Sequence, residues 1–142
     1  MPQILAGVIL NKLFTKIFTF CEDFGLTLQS GKMKIRLIKR KTIDKYIIDN
    51  ARSRSSFREW LSNLDDACWE TPDDIVSLFN HADLLGNGSN RVVFNVGGNN
   101  YRVICKYWFG TTKVHLYVKW IGSHAEYDKL CDSGKQYSIN NY

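Results

Sequence analysis

The ten residues IGSHAEYDKL, in the last quarter of the sequence, combine side chains that can exchange protons. His124 is followed by Tyr127 and Asp128 at distances of three and four residues, so a helix would place all three on one face. An imidazole and a phenol can act as general base and general acid. The stretch also resembles a capped helix start, with Ser123 as N-cap and Glu126 three residues later. Both interpretations can hold together, because the cap would fix His124; Asp128 we expect to be a surface charge.

The positive charge of the chain is concentrated just before this stretch. Between Leu84 and Ala125 there is no Asp or Glu. The same segment contains five basic residues and two histidines: Arg91, Arg102, Lys106, Lys113, Lys119, His115 and His124. Five basic minus zero acidic gives +5, the formal net charge of the whole chain. Such a block favours an acidic partner such as nucleic acid, although lysines that only keep a sheet face soluble would give the same pattern.

These residue types suffice for one kind of RNA chemistry. Cleavage of RNA through its own 2′-hydroxyl needs a base, an acid for the leaving 5′-oxygen, and cations that hold the charge of the phosphorane. His, Tyr, Lys and Arg supply all three without a metal. The segment NVGGNN lacks the Lys-Ser/Thr that ends a phosphate-binding loop, and a hairpin turn explains it better. The four cysteines lack the spacing of zinc ligands. We therefore expect neither a metal nor another cofactor.

The cysteines also bear on the compartment. The even count of four leaves disulfides open, but Cys68 and Cys105 have apolar sequence neighbours, as free buried thiols do. Free thiols are typical of a reducing cytosol, so we expect a cytoplasmic protein.

The first 32 residues differ in character from the rest. They are apolar and rich in Phe, with Lys12 and Lys16 inside the apolar stretch. No positive charge precedes that stretch, as a secretion signal requires, and the lysines interrupt a membrane span of about 20 residues. We expect residues 1–32 to be an extension that is not natively translated, with translation starting at Met33; an amphipathic helix is the alternative. Residues 33–142 would form one domain.

Hydrophobic periodicity predicts an α+β fold for this domain. MKIRLIKR alternates as a half-buried strand does. Three helices should follow: one capped by Thr42, one over SSFREWLSNLDDACW, and one beginning at Thr71, where a proline occupies the first turn. Their inward-facing apolar residues are the predicted core: Ile43, Tyr46, Ile47, Phe57, Trp60, Leu61, Leu64, Trp69, Ile75, Leu78 and Phe79.

After LLGNGSN the period changes to two, which predicts an antiparallel meander of three strands: RVVFNV, NNYRVICKYWF and KVHLYVKWI. A short helix from His124 would close the domain. Strict alternation sorts the side chains into two faces. One face should be basic and aromatic: Arg91, Val93, Asn95, Arg102, Ile104, Lys106, Trp108, Lys113, His115, Tyr117 and Lys119. The other face, which would include Trp120, should pack on the helices. Phosphates bind Lys and Arg, and unpaired bases stack on aromatic rings.

RVVFNVGGNNYRVI, followed one strand later by GSHAEYDKL, resembles the HigB family of bacterial toxins, within the RelE superfamily of messenger-RNA interferases. WETPDDIVSLF is similar to the middle segment of that family, and the resemblance extends from Met33 to about Leu130. It implies a small RelE-like fold, with an N-terminal strand and helices packed on the antiparallel meander and a short C-terminal helix.

The resemblance also implies a function and its partners. Such toxins are endoribonucleases that cut messenger RNA, usually in the A site of a translating ribosome. A HigA-type antitoxin with a helix-turn-helix domain neutralises them, and the pair represses its own operon, so operator DNA is contacted only through the antitoxin. No membrane is implied. Two alternatives stay open: a non-catalytic RNA- or ribosome-binding module, and an inactive toxin remnant.

The catalytic candidates are Arg102, Lys119, His124 and Tyr127. Arg102 would clamp a phosphate, or form a structural salt bridge. Lys119 would be a second clamp or a proton donor, or only a solvated lysine. His124 would be general acid or base, and Tyr127 would carry a proton or stack on a base, or simply pack. The RNA-binding candidates are Arg91, Asn95, Lys106, His115 and Tyr117.

Overall fold

The computed structural model describes residues 31–142, so the predicted extension lies almost wholly outside the described residues. The elements in chain order are β1 (Met33–Ile38), α1 (Arg40–Asp49), α2 (Arg54–Asp66), β2 (Cys68–Trp69), α3 (Pro72–Leu78), β3 (Asp83–Leu84), β4 (Arg91–Val96), β5 (Tyr101–Phe109), β6 (Lys113–Ser123) and α4 (His124–Asp132). Single 3-10 turns span Ala51–Ser53 and Lys135–Tyr137. None of the helices in this range has the length and hydropathy needed to cross a membrane.

The strands form one six-stranded sheet in the order β2-β1-β6-β5-β4-β3. Strand β1 pairs parallel to β6, and the other neighbouring strands pair antiparallel. The predicted α+β fold and the predicted β4–β6 meander are therefore confirmed. The two-residue strands β2 and β3 were not predicted, because segments that short show no period.

Helices α1 to α3 cover one face of the sheet, which we call the helix face. The predicted stripe of α2 is buried there, with Phe57 and Trp60 edge to face at 6.2 Å and Trp60 against Phe94 of β4 at 5.3 Å. Such aromatic pairs stabilise a core beyond the area they bury. Two predicted boundaries were wrong. Helix α1 begins after Lys39 rather than at Thr42, and Trp69 belongs to β2, where it pairs with Met33.

A β-bulge divides strand β6 into two parts. The pairing register with β5 shifts between Ile104 and Cys105, so that Ile104 faces Trp120 and Cys105 faces Val118. Lys119 is the extra residue, and side chains after it point to the opposite face from the one that strict alternation predicts. The expectation that Trp120 packs against the helices was therefore wrong. Trp120 is buried on the other face of the sheet, with Ile104.

This second face is partly covered by α4 and the segment that follows it. Leu130 of α4 and Ile139 pack against Val93, Ile104 and Trp120. The segment after α4, residues 133–142, is held on the sheet by hydrogen bonds: Arg91 Nη1 donates to the carbonyl oxygens of Ile139 at 2.6 Å and Gln136 at 3.3 Å. The second face therefore has a covered part beneath this segment and an open part near the β5–β6 turn.

The cysteines only partly follow the sequence prediction. Cys105 is a free, fully buried thiol, and burial raises its pKa. Cys68 is buried but takes part in a disulfide, so the prediction of a free thiol at that position was wrong. The inference of a reducing compartment, which used both Cys68 and Cys105 as free thiols, therefore keeps only Cys105.

Gly122 is required by the ring of Trp120. A Cβ atom at position 122 would lie 2.4 Å from that ring, which is buried and held by Ile104 and Tyr127. We expect Gly122→Ala to lower the free energy of unfolding by about 1–3 kcal/mol, the usual cost of overpacking. Gly86→Ala is the matched control, since a Cβ there meets nothing within 4 Å. Urea unfolding measures both variants, and equal stability of the two would contradict the assignment.

Candidate active site

The start of α4 is fixed by a capping box, as predicted. The backbone N–H of Glu126 donates to Ser123 Oγ at 3.2 Å, and the backbone N–H of Ser123 donates to Glu126 Oε1 at 2.9 Å. The backbone N–H of His124 donates to the carbonyl of Asn100 at 3.1 Å, in the β4–β5 hairpin. His124 is therefore held beside this hairpin by satisfied backbone groups.

The His124 side chain extends into solvent beside a carboxylate. Its Nδ1 lies 3.7 Å from Asp128 Oδ1, one helical turn on, and both side chains are about half exposed or more, at 48% and 65%. Asp128 was expected to be only a surface charge, but its carboxylate is close enough to orient the imidazole. With Nδ1 facing Asp128, Nε2 is the ring nitrogen directed away from it.

Arg102 is buried beneath the same hairpin. Its Nη1 donates to the carbonyl oxygens of Tyr101 at 3.1 Å and Gly98 at 3.5 Å, while Asn95 is its partner across the strand pair. Gly97 and Gly98 of this turn both have positive φ, at 65° and 66°, a conformation that glycine adopts without strain. A guanidinium has five N–H donors, so these contacts orient Arg102 without saturating it.

Tyr127 lies between α4 and the sheet, half-buried. Its ring packs on Trp120, with ring centroids 6.1 Å apart. Burial raises the pKa of the phenol, the neighbouring Cys131 and Asp83 raise it further, and only Arg102 lowers it. Tyr127 is therefore protonated at neutral pH, so it can donate a proton or a hydrogen bond but cannot serve as a base.

The structure thus brings together three of the four catalytic candidates. All three lie around the junction of β6 and α4, since Arg102 pairs with Gly122, His124 begins α4 and Tyr127 is in its first turn. We call Arg102, His124 and Tyr127 the α4 cluster. Lys119 lies in the bulge, three residues before Gly122, which is about 10 Å along the strand. Gly122 is the residue that pairs with Arg102. Its ammonium is 3.0 Å from Asn140 Oδ1 and 5.8 Å from the ring centroid of Tyr117. Among the described contacts none joins Lys119 to the α4 cluster.

The RNA-binding candidates lie in three places: the covered part of the second face, its open part, and a cleft beside α2. Arg91 is buried under the segment that follows α4 and already donates to its carbonyls. Asn95 lines a cleft of about 370 Å³ between α2 and the β4–β5 hairpin. Lys106, His115 and Tyr117 lie on the open part, where Lys106 pairs with Tyr117 in the register. Their roles in binding RNA stay predictions.

Sequence reasoning missed three residues that belong with these candidates. Trp120 supports Tyr127, and only the bulge, which alternation cannot show, places it there. Asp128 could have been paired with His124 from their spacing of four residues on a helix. Trp108 is 57% exposed on the open part, unlike the other three tryptophans, which are all buried. Strict alternation along β5 already predicted Trp108 on the basic and aromatic face, and that prediction was the available signal.

Comparison with known proteins identifies the family. The model of the HigB toxin, described as the RelE-like toxic component of a toxin–antitoxin system, matches residues 53–130, more than half of the chain. The chain belongs to the HigB toxin family. By that description, a HigB toxin is one component of a toxin–antitoxin pair. The HigB match contains every candidate residue from Arg91 to Tyr127, but neither β1 nor α1.

A curated relative is similar over a shorter stretch. The chain is 37% identical over 62 residues to a protein named mRNA interferase HigB from Escherichia coli. These residues are 44% of this chain and 58% of that relative, so the chain spans little more than half of the relative's length. Within residues 31–142, no group of three or more His, Cys, Asp or Glu side chains is arranged to hold a metal ion. The prediction that HigB chemistry here needs no metal stays a prediction.

Deprotonation of the partly buried tyrosines should make the protein less stable at alkaline pH. Burial, and next the Glu126 charge, raise the pKa of Tyr46 to about 12, and the pKa of Tyr127 is raised as well. A raised phenol pKa gives stability that is fully present below the unfolded value, about 10, and is lost as pH rises through the folded value. Tyr127→Phe removes one of the groups that release a proton on unfolding at alkaline pH. The free energy of unfolding of this variant should therefore fall less steeply above about pH 10.

Urea unfolding at a series of alkaline pH values measures the slope. Tyr137→Phe, which removes an exposed phenol, is the matched control. An alkaline decline that is the same in Tyr127→Phe and in the parent protein would contradict the raised pKa of the Tyr127 phenol.

Proposed function

We propose that this HigB family member is an endoribonuclease that cleaves messenger RNA, on the translating ribosome, by attack of the RNA's own 2′-hydroxyl. The observation that carries the proposal is the placement of a buried arginine, a protonated tyrosine and an exposed histidine around the junction of β6 and α4. These are the cation, the proton donor and the base that this reaction requires. The name of the similar Escherichia coli protein, mRNA interferase, agrees with the proposal.

His124 acts as the general base in this mechanism. Nε2 takes the proton of the 2′-hydroxyl, and the carboxylate of Asp128 stabilises the imidazolium that forms. The 2′-oxygen then attacks the adjacent phosphorus, and the bond from phosphorus to the 5′-oxygen breaks. Because Tyr127 is neutral, its hydroxyl can protonate the leaving 5′-oxygen. The products are a 2′,3′-cyclic phosphate and a 5′-hydroxyl.

Arg102 holds the charge that develops on the phosphorane. Its guanidinium is fixed by two carbonyls before substrate arrives, so little reorganisation is needed when the charge appears. Lys119 is the second clamp, on the phosphate backbone beyond the α4 cluster, with Lys106 nearby and Asn95 beside Arg102. Arg91 contributes its charge from beneath the segment that follows α4. No metal or other cofactor takes part.

The partners follow from the same proposal. A HigA-type antitoxin with a helix-turn-helix domain holds the toxin inactive in the cytoplasm, and operator DNA is contacted only through that antitoxin. The modest net charge of +5 is consistent with a toxin that relies on the ribosome to position its RNA.

Controlled expression of the full chain in bacteria tests the assigned residues. We expect the parent protein to arrest growth, and His124→Ala and Arg102→Ala each to relieve the arrest. Removal of a general base typically costs 10²–10⁴-fold in rate, and loss of a charge-stabilising donor about 10²–10³-fold. Growth curves with matched protein levels provide the measurement.

Arg58→Ala is the control, since Arg58 is exposed on α2, away from the second face. Arg102→Lys separates a folding effect from a catalytic one, because it keeps the buried positive charge but loses the planar set of N–H donors. A folded Arg102→Lys protein should therefore also relieve the arrest. His124 is exposed, so His124→Ala should fold as the parent does. Continued arrest by a folded His124→Ala protein would show that the site is assigned wrongly.

A further inference from the structure

Three rings form a continuous array on the open part of the second face, and we call Trp108, His115 and Tyr117 the ring ladder. The centroids of Trp108 and His115 are 5.2 Å apart, and those of His115 and Tyr117 are 6.3 Å apart with nearly parallel planes, at 20°. Trp108 is 57% exposed, whereas Trp60, Trp69 and Trp120 are buried in the two cores. A large ring of this kind in water contributes little to the fold, so it is available for a ligand.

Cations surround the ring ladder on every strand that forms the open face. Arg36 of β1 lies beside His115 in the parallel pairing, and Lys106 of β5 lies beside Tyr117. The Lys119 ammonium lies 5.8 Å from the centroid of the Tyr117 ring. No acidic residue occurs on β5 or β6, the strands that carry the ring ladder.

The charges of this patch repel one another. Burial lowers the pKa of Lys119 first, and the cations Lys39, Arg91 and Lys106 lower it further, with no carboxylate acting in the other direction. A bound anion would relieve this repulsion. The patch therefore favours a polyanion over a neutral or cationic ligand.

The ring ladder is separate from the α4 cluster. His115 lies seven residues from Gly122, the partner of Arg102, which corresponds to about 20 Å along β6. The apolar contacts of Leu130 and Ile139 with the sheet lie between the two regions. Arg36 is outside the segment that the HigB family model matches. A ligand on the ring ladder would therefore occupy a surface of its own.

We propose that the ring ladder and its cations bind single-stranded RNA outside the cleavage centre, with an unpaired base stacked on Trp108 and phosphates on Arg36, Lys106 and Lys113. Every base has a π face, so this surface binds RNA without reading its sequence and holds the strand while the α4 cluster acts on another nucleotide. The inference rests on the proposed function only in taking RNA as the substrate, and it requires no cleavage.

Binding of a labelled oligonucleotide to the full chain carrying His124→Ala tests the inference, because this variant should leave the RNA intact. We expect Trp108→Leu to weaken binding of an unstructured RNA of about 12 nucleotides roughly 10-fold, from the loss of one stacked base. Trp108→Tyr keeps a ring and should remain within about 3-fold of the parent. Ile48→Ala is the control, since Ile48 is an exposed apolar residue of α1, at 74%, on the helix side.

An abasic oligonucleotide of the same length separates stacking from charge. Because it has no base to stack, it should bind the parent and the Trp108→Leu variant with equal affinity. A loss that is equal for abasic and base-containing strands, or no loss for either, would overturn the inference. Unchanged RNA binding together with weaker capture of the antitoxin would also overturn it, in favour of an acidic protein partner.

The two proposals can fail independently. If transcripts stay intact in cells while RNA binding depends on Trp108, the cleavage proposal fails and the ring ladder stands. If transcripts are cleaved while Trp108→Leu binds RNA as the parent does, the ring ladder fails and the cleavage proposal stands.

Discussion

The β-bulge at Lys119 is the constraint on which the rest of the site depends. Before it, His115 and Tyr117 face the open part of the second face; after it, Trp120 and Gly122 take that direction in place of residues 119 and 121. The inserted residue thus lets one strand carry exposed rings at one end and a buried tryptophan at the other. That tryptophan supports Tyr127, and Gly122 leaves the space that its ring needs.

Arg102 shows how the fold prepares a charge without a carboxylate. Its guanidinium is oriented by carbonyls of the β4–β5 hairpin, and two glycines with positive φ give the hairpin its shape. The same hairpin accepts the backbone N–H of His124. A single turn therefore positions both groups, and the capping box of α4 completes their alignment. This preorganisation is what a transition state with developing negative charge requires.

Periodicity in the sequence predicted most of the fold, because buried faces impose it. The stripe of α2, the meander of β4 to β6 and the cap at Ser123 are as expected. Trp69 was assigned to a helix because a two-residue strand is too short to alter the period. Trp120 was assigned to the wrong face because an inserted residue reverses alternation without changing composition. The disulfide of Cys68 was not predicted, because the residues next to a cysteine in the sequence do not show which distant cysteine it meets.

The candidate site was predictable by residue type but not by grouping. Arg102, His124 and Tyr127 lie around the start of α4, whereas Lys119 lies with Lys106 and Tyr117. Distances across a sheet depend on register, which the sequence does not contain. The approach of Asp128 to His124 depends only on helix geometry, so their spacing of four residues was sufficient to predict it.

Mapping of transcript ends by their chemistry tests the central claim most directly. After the full chain is expressed, we expect new 5′-hydroxyl ends within coding regions, paired with upstream fragments that end in 2′,3′-cyclic phosphate. With His124→Ala we expect neither kind of end. Growth arrest with intact transcripts would contradict the account and indicate a protein that binds without cleaving. New ends that carry 5′-phosphates would contradict the 2′-hydroxyl mechanism.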